Sequence, residues 1–91
     1  DDYVADFVKG ISRLEVVKAK SIMKPIEFFE KQYGAVPKNA IKMNENDDLS
    51  SLIENSVSSD MPIIISNSHN DEVGIVSQKD LLVAIVEGQD E

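Results

Sequence analysis

Two polar residues in the C-terminal part of the chain have the types and spacing to bind a nucleotide. Ser77 follows the apolar run VGIV at residues 73–76, and Asp80 stands three residues later, one helical turn away. Where a strand turns into a helix, a hydroxyl and free backbone N–H groups can approach a phosphate. A carboxylate one turn later can accept hydrogen bonds from both hydroxyls of a ribose. The same pair also fits a capping box, in which Ser77 caps the helix and Asp80 reaches back to it, so both roles stay open.

Other polar residues give weaker grounds for a site. His69 is the only histidine, and it lies among turn-forming residues, so we interpret it as an exposed turn residue and not as part of a catalytic triad. Asn44, Asn46 and Asp48 have the spacing of a calcium loop, but the Gly and the bidentate Glu that such a loop needs are missing. The chain has no Cys, no Walker loop and no dinucleotide fingerprint. We therefore expect no metal site and no catalysis.

Length, composition and charge narrow the class of protein. The chain has 91 residues, of which 42% are hydrophobic and 29% charged, as in one small folded domain. Its formal net charge of −8 disfavours binding to nucleic acid or to an anionic lipid surface. Its apolar stretches are far shorter than the ~20 residues that span a bilayer, so we expect no membrane span. The chain begins without Met, and we expect it to be a piece of a longer protein.

The first part of the chain is predicted to be a connector. Apolar residues at helical spacing predict an amphipathic helix over residues 2–10, followed by a linker. Ser21 is a candidate cap for a short helical turn that Pro25 ends or redirects.

The segment over residues 26–39 is predicted to be a helical turn followed by a loop. It contains three of the five aromatic residues, together with helix-breaking Gly34 and Pro37. These aromatics are Phe28, Phe29 and Tyr33. They could frame a ligand, or they could serve as packing or dimer contacts.

From residue 40 the pattern becomes regular and predicts an α+β fold. The predicted elements are a strand over 40–43, a helix over 49–57, strands over 61–65 and 73–76, and a helix over 77–88. The polar cluster at residues 44–47 offers a cap to the first helix. Residues 66–71 are rich in Asn, Ser and Asp, which favours a hairpin turn between the last two strands.

This order of elements and two of its segments resemble a CBS (cystathionine beta-synthase) motif. The segments are MPII at residues 61–64 and GIVSQKDLL at residues 74–82, of which the second is the more specific. AKSIM at residues 19–23 resembles the segment that leads into such a motif, although the family commonly carries Asp where this chain has Ser21. CBS motifs normally occur in tandem pairs, whereas this chain contains one. The resemblance therefore implies a homodimer in which a second chain supplies the partner motif.

A narrower resemblance covers most of the chain. It rests on DYVADFV at residues 2–8, VVKAK at residues 16–20 and YGAVPKNAIK at residues 33–42. These segments are similar to the region after the nucleotide-binding domain in ATP-binding subunits of glycine betaine, proline and related osmoprotectant ABC importers. The resemblance implies a cytoplasmic regulatory domain at the inner face of the membrane, attached to an ATPase domain and a permease. We divide the chain into a connector over residues 1–18 and a single CBS domain over residues 19–91.

The resemblance to CBS domains that bind adenosine compounds implies roles for particular residues. Ser77 would contact a phosphate, and Asp80 would contact the ribose. Apolar side chains would enclose the adenine, and the candidates for this role are Ile63, Ile64, Ala19 and Ile22. The expected ligand is an adenine nucleotide such as AMP or ATP, or cyclic di-AMP, unless the domain responds to ionic strength. The alternative is a purely structural dimerisation module without a ligand.

Overall fold

A three-stranded mixed sheet forms the centre of the computed structural model, which describes residues 14–89. Its strands are β1 (Ile41–Asn44), β2 (Ile63–Ser66) and β3 (Glu72–Val76). β2 lies in the middle, parallel to β1 and antiparallel to β3. The parallel pair needs a long crossover, whereas the antiparallel pair is joined by a short hairpin turn.

Helices precede, connect and follow these strands. They are α1 (Ala19–Ile22), α2 (Ile26–Tyr33), α3 (Leu49–Val57) and α4 (Gln78–Gln89), and residues 14–16 are also helical. From β1 onward the order is strand, helix, strand, strand, helix. This order confirms the predicted α+β fold, because the periodicity of apolar residues in this half of the chain matches the elements that form. Among the described helices, none combines the length and the apolar character needed to cross a membrane.

The hydrophobic core lies between one face of the sheet and the helices. Side chains alternate along a strand, so Ile63 and Ile65 of β2 face this core while Ile64 faces the opposite side. The strands, α1, α3 and α4 together supply the buried residues of the core, which are Ala19, Leu49, Leu52, Ile63, Ile65, Val76, Leu81 and Ala84. On the other face, α2 packs against β3.

The segment before α2 is attached to the start of α3 and to β3 by backbone hydrogen bonds. The Leu49 N–H donates to the Val17 carbonyl over 2.8 Å, at the start of α3. Further along, Lys24 and Ile75 exchange two backbone hydrogen bonds of 2.9 Å each. Because β3 is an edge strand, Lys24 continues the sheet by one residue beyond it. These bonds set where α2 begins.

The start of α1 and the length of α2 differ from the predictions. Ser21 lies inside α1 and is exposed, and the position before the helix is Lys18, so Ser21 is not its cap. The helix begins earlier because Ala19 must lie in the core.

The next helix, α2, is longer than the predicted turn and ends at Gly34, whose φ of 91° favours glycine. α2 has only eight residues, about two turns, so its apolar residues repeat too few times to distinguish a helix from a turn followed by a loop.

The cap of α3 also differs from the prediction. Asp48 is the N-cap, and its Oδ1 accepts from the Ser51 N–H over 2.9 Å. This bond lowers the pKa of Asp48 below its ordinary value, aided by the Ser51 side chain and the positive charge of Lys18. The polar cluster at residues 44–47 closes a turn instead, in which the Asp47 carboxylate accepts from the Asn44 N–H over 2.8 Å. Asp48 is favoured as the cap because it immediately precedes the first apolar residue of the helix.

The predicted helix over residues 2–10 lies outside the described residues. Most of the connector assigned to residues 1–18 lies there as well. The division of the chain at residue 18 stays a prediction.

Candidate functional site

Ser77 and Asp80 form the N-terminal cap of α4. The Asp80 N–H donates to Ser77 Oγ, and the Ser77 N–H donates to Asp80 Oδ2, each over 3.1 Å. These reciprocal bonds make a capping box with Asp in place of the usual Glu. They use one carboxylate oxygen and leave Asp80 Oδ1 and the hydroxyl proton of Ser77 outside the cap. The cap therefore orients both side chains without excluding a ligand.

The capping pair lies in one wall of a groove between α2 and α4. The groove has a volume of ≈ 240 Å³ and is open to solvent. One wall is formed by α4 and the residue before it, with the side chains of Ser77, Lys79, Asp80 and Val83. The other wall is formed by α2, with the side chains of Phe28, Phe29, Gln32 and Tyr33. Lys24 and Ile75 complete the lining. Pockets for small molecules usually measure roughly 300–1,000 Å³, so this groove encloses only part of a nucleotide.

The aromatic residues of α2 are surface residues that line the groove. Phe28 is 53% exposed and Tyr33 is 52% exposed. The ring centroids of Phe29 and Tyr33 are 5.0 Å apart and the ring planes are tilted by 44°, a favourable arrangement for an aromatic pair. None of the three aromatic residues is buried in the core. Packing within the chain, contact with a ligand and contact with another chain therefore all stay open.

Two lysines give the groove a positive local charge. Lys24 and Lys79 line it, and Asp80 is the one carboxylate among the lining residues. The chain as a whole carries a net charge of −8, so most of its surface repels anions. A local excess of positive charge in a concave site concentrates anionic ligands there. The groove therefore suits an anion that also carries a polar or apolar body.

A smaller groove continues along α4 on the far side of Asp80. Its volume is ≈ 120 Å³. Lys24, Asp80 and Val83 line both grooves. Ser21, Ile22, Ala84 and Glu87 complete the lining of the smaller one. Asp80 therefore stands where the two grooves meet.

The apolar residues predicted to enclose an adenine occupy different places. Ile22 lines the smaller groove, beside the capping pair. Ala19 and Ile63 are buried in the core, and Ile64 is buried on the opposite face of the sheet. These three do not line either groove of the single chain. The structure thus brings together Ile22 and the two polar residues, and it places the other three in the interior.

Several lining residues were not assigned a role from the sequence. Lys79 lies within the same helical turn as the capping pair, so its spacing could have identified it. Lys24 and Gln32 reach the groove only because α2 folds back against β3. Ile75 forms part of the lining because it faces away from the core on β3. Local sequence patterns carry no signal for these three positions, since their proximity depends on contacts between distant parts of the chain.

Comparison with known proteins identifies the fold. The CBS domain of a bacterial CNNM/CorC family Mg²⁺ transporter matches with a TM-score of 0.66 and 14% identity, over 89% of this chain and 82% of the other. A structure of such a domain in complex with ATP matches with a TM-score of 0.67 and 12% identity, over 92% and 97%. No protein-family model and no curated protein sequence matches the chain. At 14% and 12% identity the similarity shows the fold alone. The chain has the fold of a CBS domain.

Proposed function

We propose that the chain is a regulatory CBS domain that binds an adenine nucleotide in the groove between α2 and α4. The observation that carries this proposal is the position of Ser77 and Asp80, which stand together in the wall of a groove that also contains two lysines and an aromatic surface. A domain of the same fold has been solved in complex with ATP, which supports the proposal.

The proposed contacts follow from the geometry of the capping box. Asp80 Oδ1 lies outside the cap and would accept hydrogen bonds from the ribose hydroxyls. The Ser77 hydroxyl would donate to a phosphate oxygen, because its Oγ already accepts from the Asp80 N–H. Lys24 and Lys79 would balance the phosphate charge. The cap thus preorganises two groups that bind the ligand.

A second copy of the chain is the proposed partner. α4 presents an apolar stripe to solvent, in which Leu82 is 63% exposed and Val86 is 57% exposed. Val83 belongs to this stripe and also lines both grooves. A copy packed on the stripe would enlarge a groove that is too small to enclose a nucleotide by itself.

Regulation would follow from the arrangement of the two copies. A nucleotide held between them can change their relative orientation only if it binds one arrangement more tightly than the other. From the sequence resemblance described above, we propose that the regulated partner is the ATPase domain of an osmoprotectant ABC importer at the cytoplasmic face of the membrane. That resemblance is the support for this context, since the solved neighbours belong to another transporter family.

Calorimetric titration of the 91-residue chain with AMP, ATP and cyclic di-AMP tests the proposal. We expect saturable binding of an adenine nucleotide and at least a tenfold loss of affinity in Asp80→Asn, because a hydrogen bond to a charged group contributes about 1.5–3 kcal/mol. The amide can still accept from the Ser77 N–H, so the fold should be retained. The matched control is Asp60→Asn, which removes an exposed carboxylate outside both grooves. Absence of binding by the unchanged chain would contradict the proposal.

The exposed stripe of α4 also supports a structural dimerisation module as a second candidate function. In that case the chain would form a stable dimer by light scattering, and none of the three nucleotides would bind to it or change its mass. The titration therefore separates the two functions by whether a nucleotide binds, and the mass recorded at low and high salt shows whether the chain is a dimer in either case.

A further inference from the structure

α2 is held against the sheet without contributing to the hydrophobic core. It has eight residues, none of them buried. An isolated helix of this length is unstable in water, so α2 depends on its contacts with the rest of the chain. Those contacts are the backbone bonds between Lys24 and Ile75 at its start and the packing of its residues against β3.

The exposed aromatic side chains of α2 both lie on the groove. Four of its side chains line this groove, and three of the four are aromatic. Phe28 and Tyr33 each leave about half of their surface uncovered. Large apolar rings that lie together in a groove are typical of a surface that another group covers. The groove side of α2 is therefore a contact surface.

The chemistry of the opposite wall indicates what covers these rings. That wall contains a hydroxyl, a carboxylate and an ammonium group, from Ser77, Asp80 and Lys79. A simple anion or a sugar phosphate would satisfy these polar groups and leave the rings exposed. A planar heteroaromatic ring attached to a ribose phosphate satisfies both walls, because bases stack on aromatic side chains.

We infer that Phe28 and Tyr33 bind the base of the nucleotide, so that α2 selects ligands with an aromatic ring over a ribose phosphate without one. This inference rests on the proposed nucleotide site and adds the residues that recognise the base. Phe29 acts as a positioning residue, since its ring lies 5.0 Å from that of Tyr33 and restricts the orientation of the latter.

Replacement of the rings by aliphatic side chains tests the inference. The double variant Phe28→Leu/Tyr33→Leu keeps apolar side chains and removes the ring faces. We expect its affinity for AMP to fall about tenfold, the loss typical of removing base stacking. The control is Val57→Leu, at an exposed apolar position of α3 outside the groove, which should bind AMP as the unchanged chain does.

Tyrosine fluorescence gives a second measurement that leaves α2 intact. The chain has two Tyr and no Trp, so Tyr3→Phe leaves Tyr33 as the one fluorophore of this kind. AMP should quench this emission saturably, after correction for absorption by the base, whereas ribose 5-phosphate at the same concentrations should not. If the double variant loses the helical circular dichroism signal and is therefore unfolded, the fluorescence measurement tests by itself whether the base contacts Tyr33.

The possible results distinguish failure of the base-binding role of α2 from failure of the proposed nucleotide site. If the unchanged chain binds AMP, Asp80→Asn does not, and the double variant binds as tightly as the unchanged chain, the role of α2 is overturned while the nucleotide site stands. If the unchanged chain binds no nucleotide, both are overturned. Weaker AMP binding in the folded double variant, with quenching of Tyr33, supports the inference.

Discussion

At the residue scale, Gly74 controls how closely the lead-in segment approaches the sheet. A Cβ built at this position would lie 2.6 Å from Met23 Sδ and 3.0 Å from Met23 Cβ. The first of these contacts involves a flexible thioether, but the second involves an atom fixed to the backbone. Glycine is therefore required here by the packing of Met23, which follows α1, against β3 and not by a special backbone conformation.

Gly74→Ala should destabilise the domain because the segment that leads into α2 must move away from β3. We expect a loss of about 1–3 kcal/mol in the free energy of unfolding, the range found for overpacked interiors, measured by urea denaturation. The variant Met23→Ala shortens the opposing side chain, so the same glycine substitution should cost less in that background. Equal losses in both backgrounds would contradict the proposed steric cause.

The geometry of Ser77 and Asp80 allows each of them to be both a cap residue and part of the proposed nucleotide site. The capping box commits only one carboxylate oxygen, so the two roles that the sequence left open are compatible. Spacing alone could not choose between them, because a cap and a nucleotide site need the same residue types three positions apart.

At the element scale, the cap of α3 depends on an ionised side chain. The cap of α3 uses the Asp48 carboxylate, whose pKa is lowered first by the backbone N–H of Ser51. A carboxyl with a lower pKa in the folded chain stabilises that chain at pH values above its unfolded pKa. The contribution is lost as the pH falls from the ordinary value of 3.8 through the folded value.

Asp48→Ala should lower the melting temperature at neutral pH, because α3 loses the acceptor for the Ser51 N–H. The difference from the unchanged chain should shrink as the pH falls from 3.8 towards the lower pKa of the folded chain, because over this interval the unfolded chain takes up the proton first and the stabilisation by the ionised cap is lost. Thermal melts followed by circular dichroism between pH 7 and pH 3 measure this. Asp48→Asn is the control, since an amide also caps a helix and does not titrate. If the difference in melting temperature between Asp48→Ala and the unchanged chain were the same at every pH, the proposed role of the ionised carboxylate would be contradicted.

α2 is the element that the sequence predicts least well, and it supplies one wall of the candidate site. Its aromatic residues do not repeat over enough turns to distinguish a helix from a turn followed by a loop. The helix forms where its N-terminus is fixed by the bonds between Lys24 and Ile75. These residues are far apart in the chain, so no local pattern could indicate their pairing.

At the scale of the whole molecule, the uncovered stripe of α4 and the small volume of the groove both favour association of two chains. Each chain carries a net charge of −8, so two copies repel each other at low salt. Salt screens this repulsion, with a Debye length of about 8 Å at physiological ionic strength. Association through an apolar stripe should therefore strengthen as the salt concentration rises.

Leu82→Glu/Val86→Glu should convert the proposed dimer to a monomer, because the variant places two like charges in the apolar contact of each copy. Light scattering should show half the mass, and the free energy of unfolding of the monomer should change little because both positions are exposed. Val57→Glu adds a charge at an exposed apolar position of α3 and should leave the dimer intact. A double variant that remains dimeric would exclude α4 as the interface.

The sequence by itself determined the order of elements from residue 41 onward and the spacing at which Ser77 and Asp80 can form a capping box. Both depend on neighbours within a few positions, since apolar periodicity and i to i+3 hydrogen bonds are local. The tertiary structure alone decided the groove, because its walls come from α2 and α4, which are distant in sequence and meet across β3. It also decided that Ala19, Ile63 and Ile64 are buried, since the face that an apolar strand or helix residue occupies depends on what packs against it.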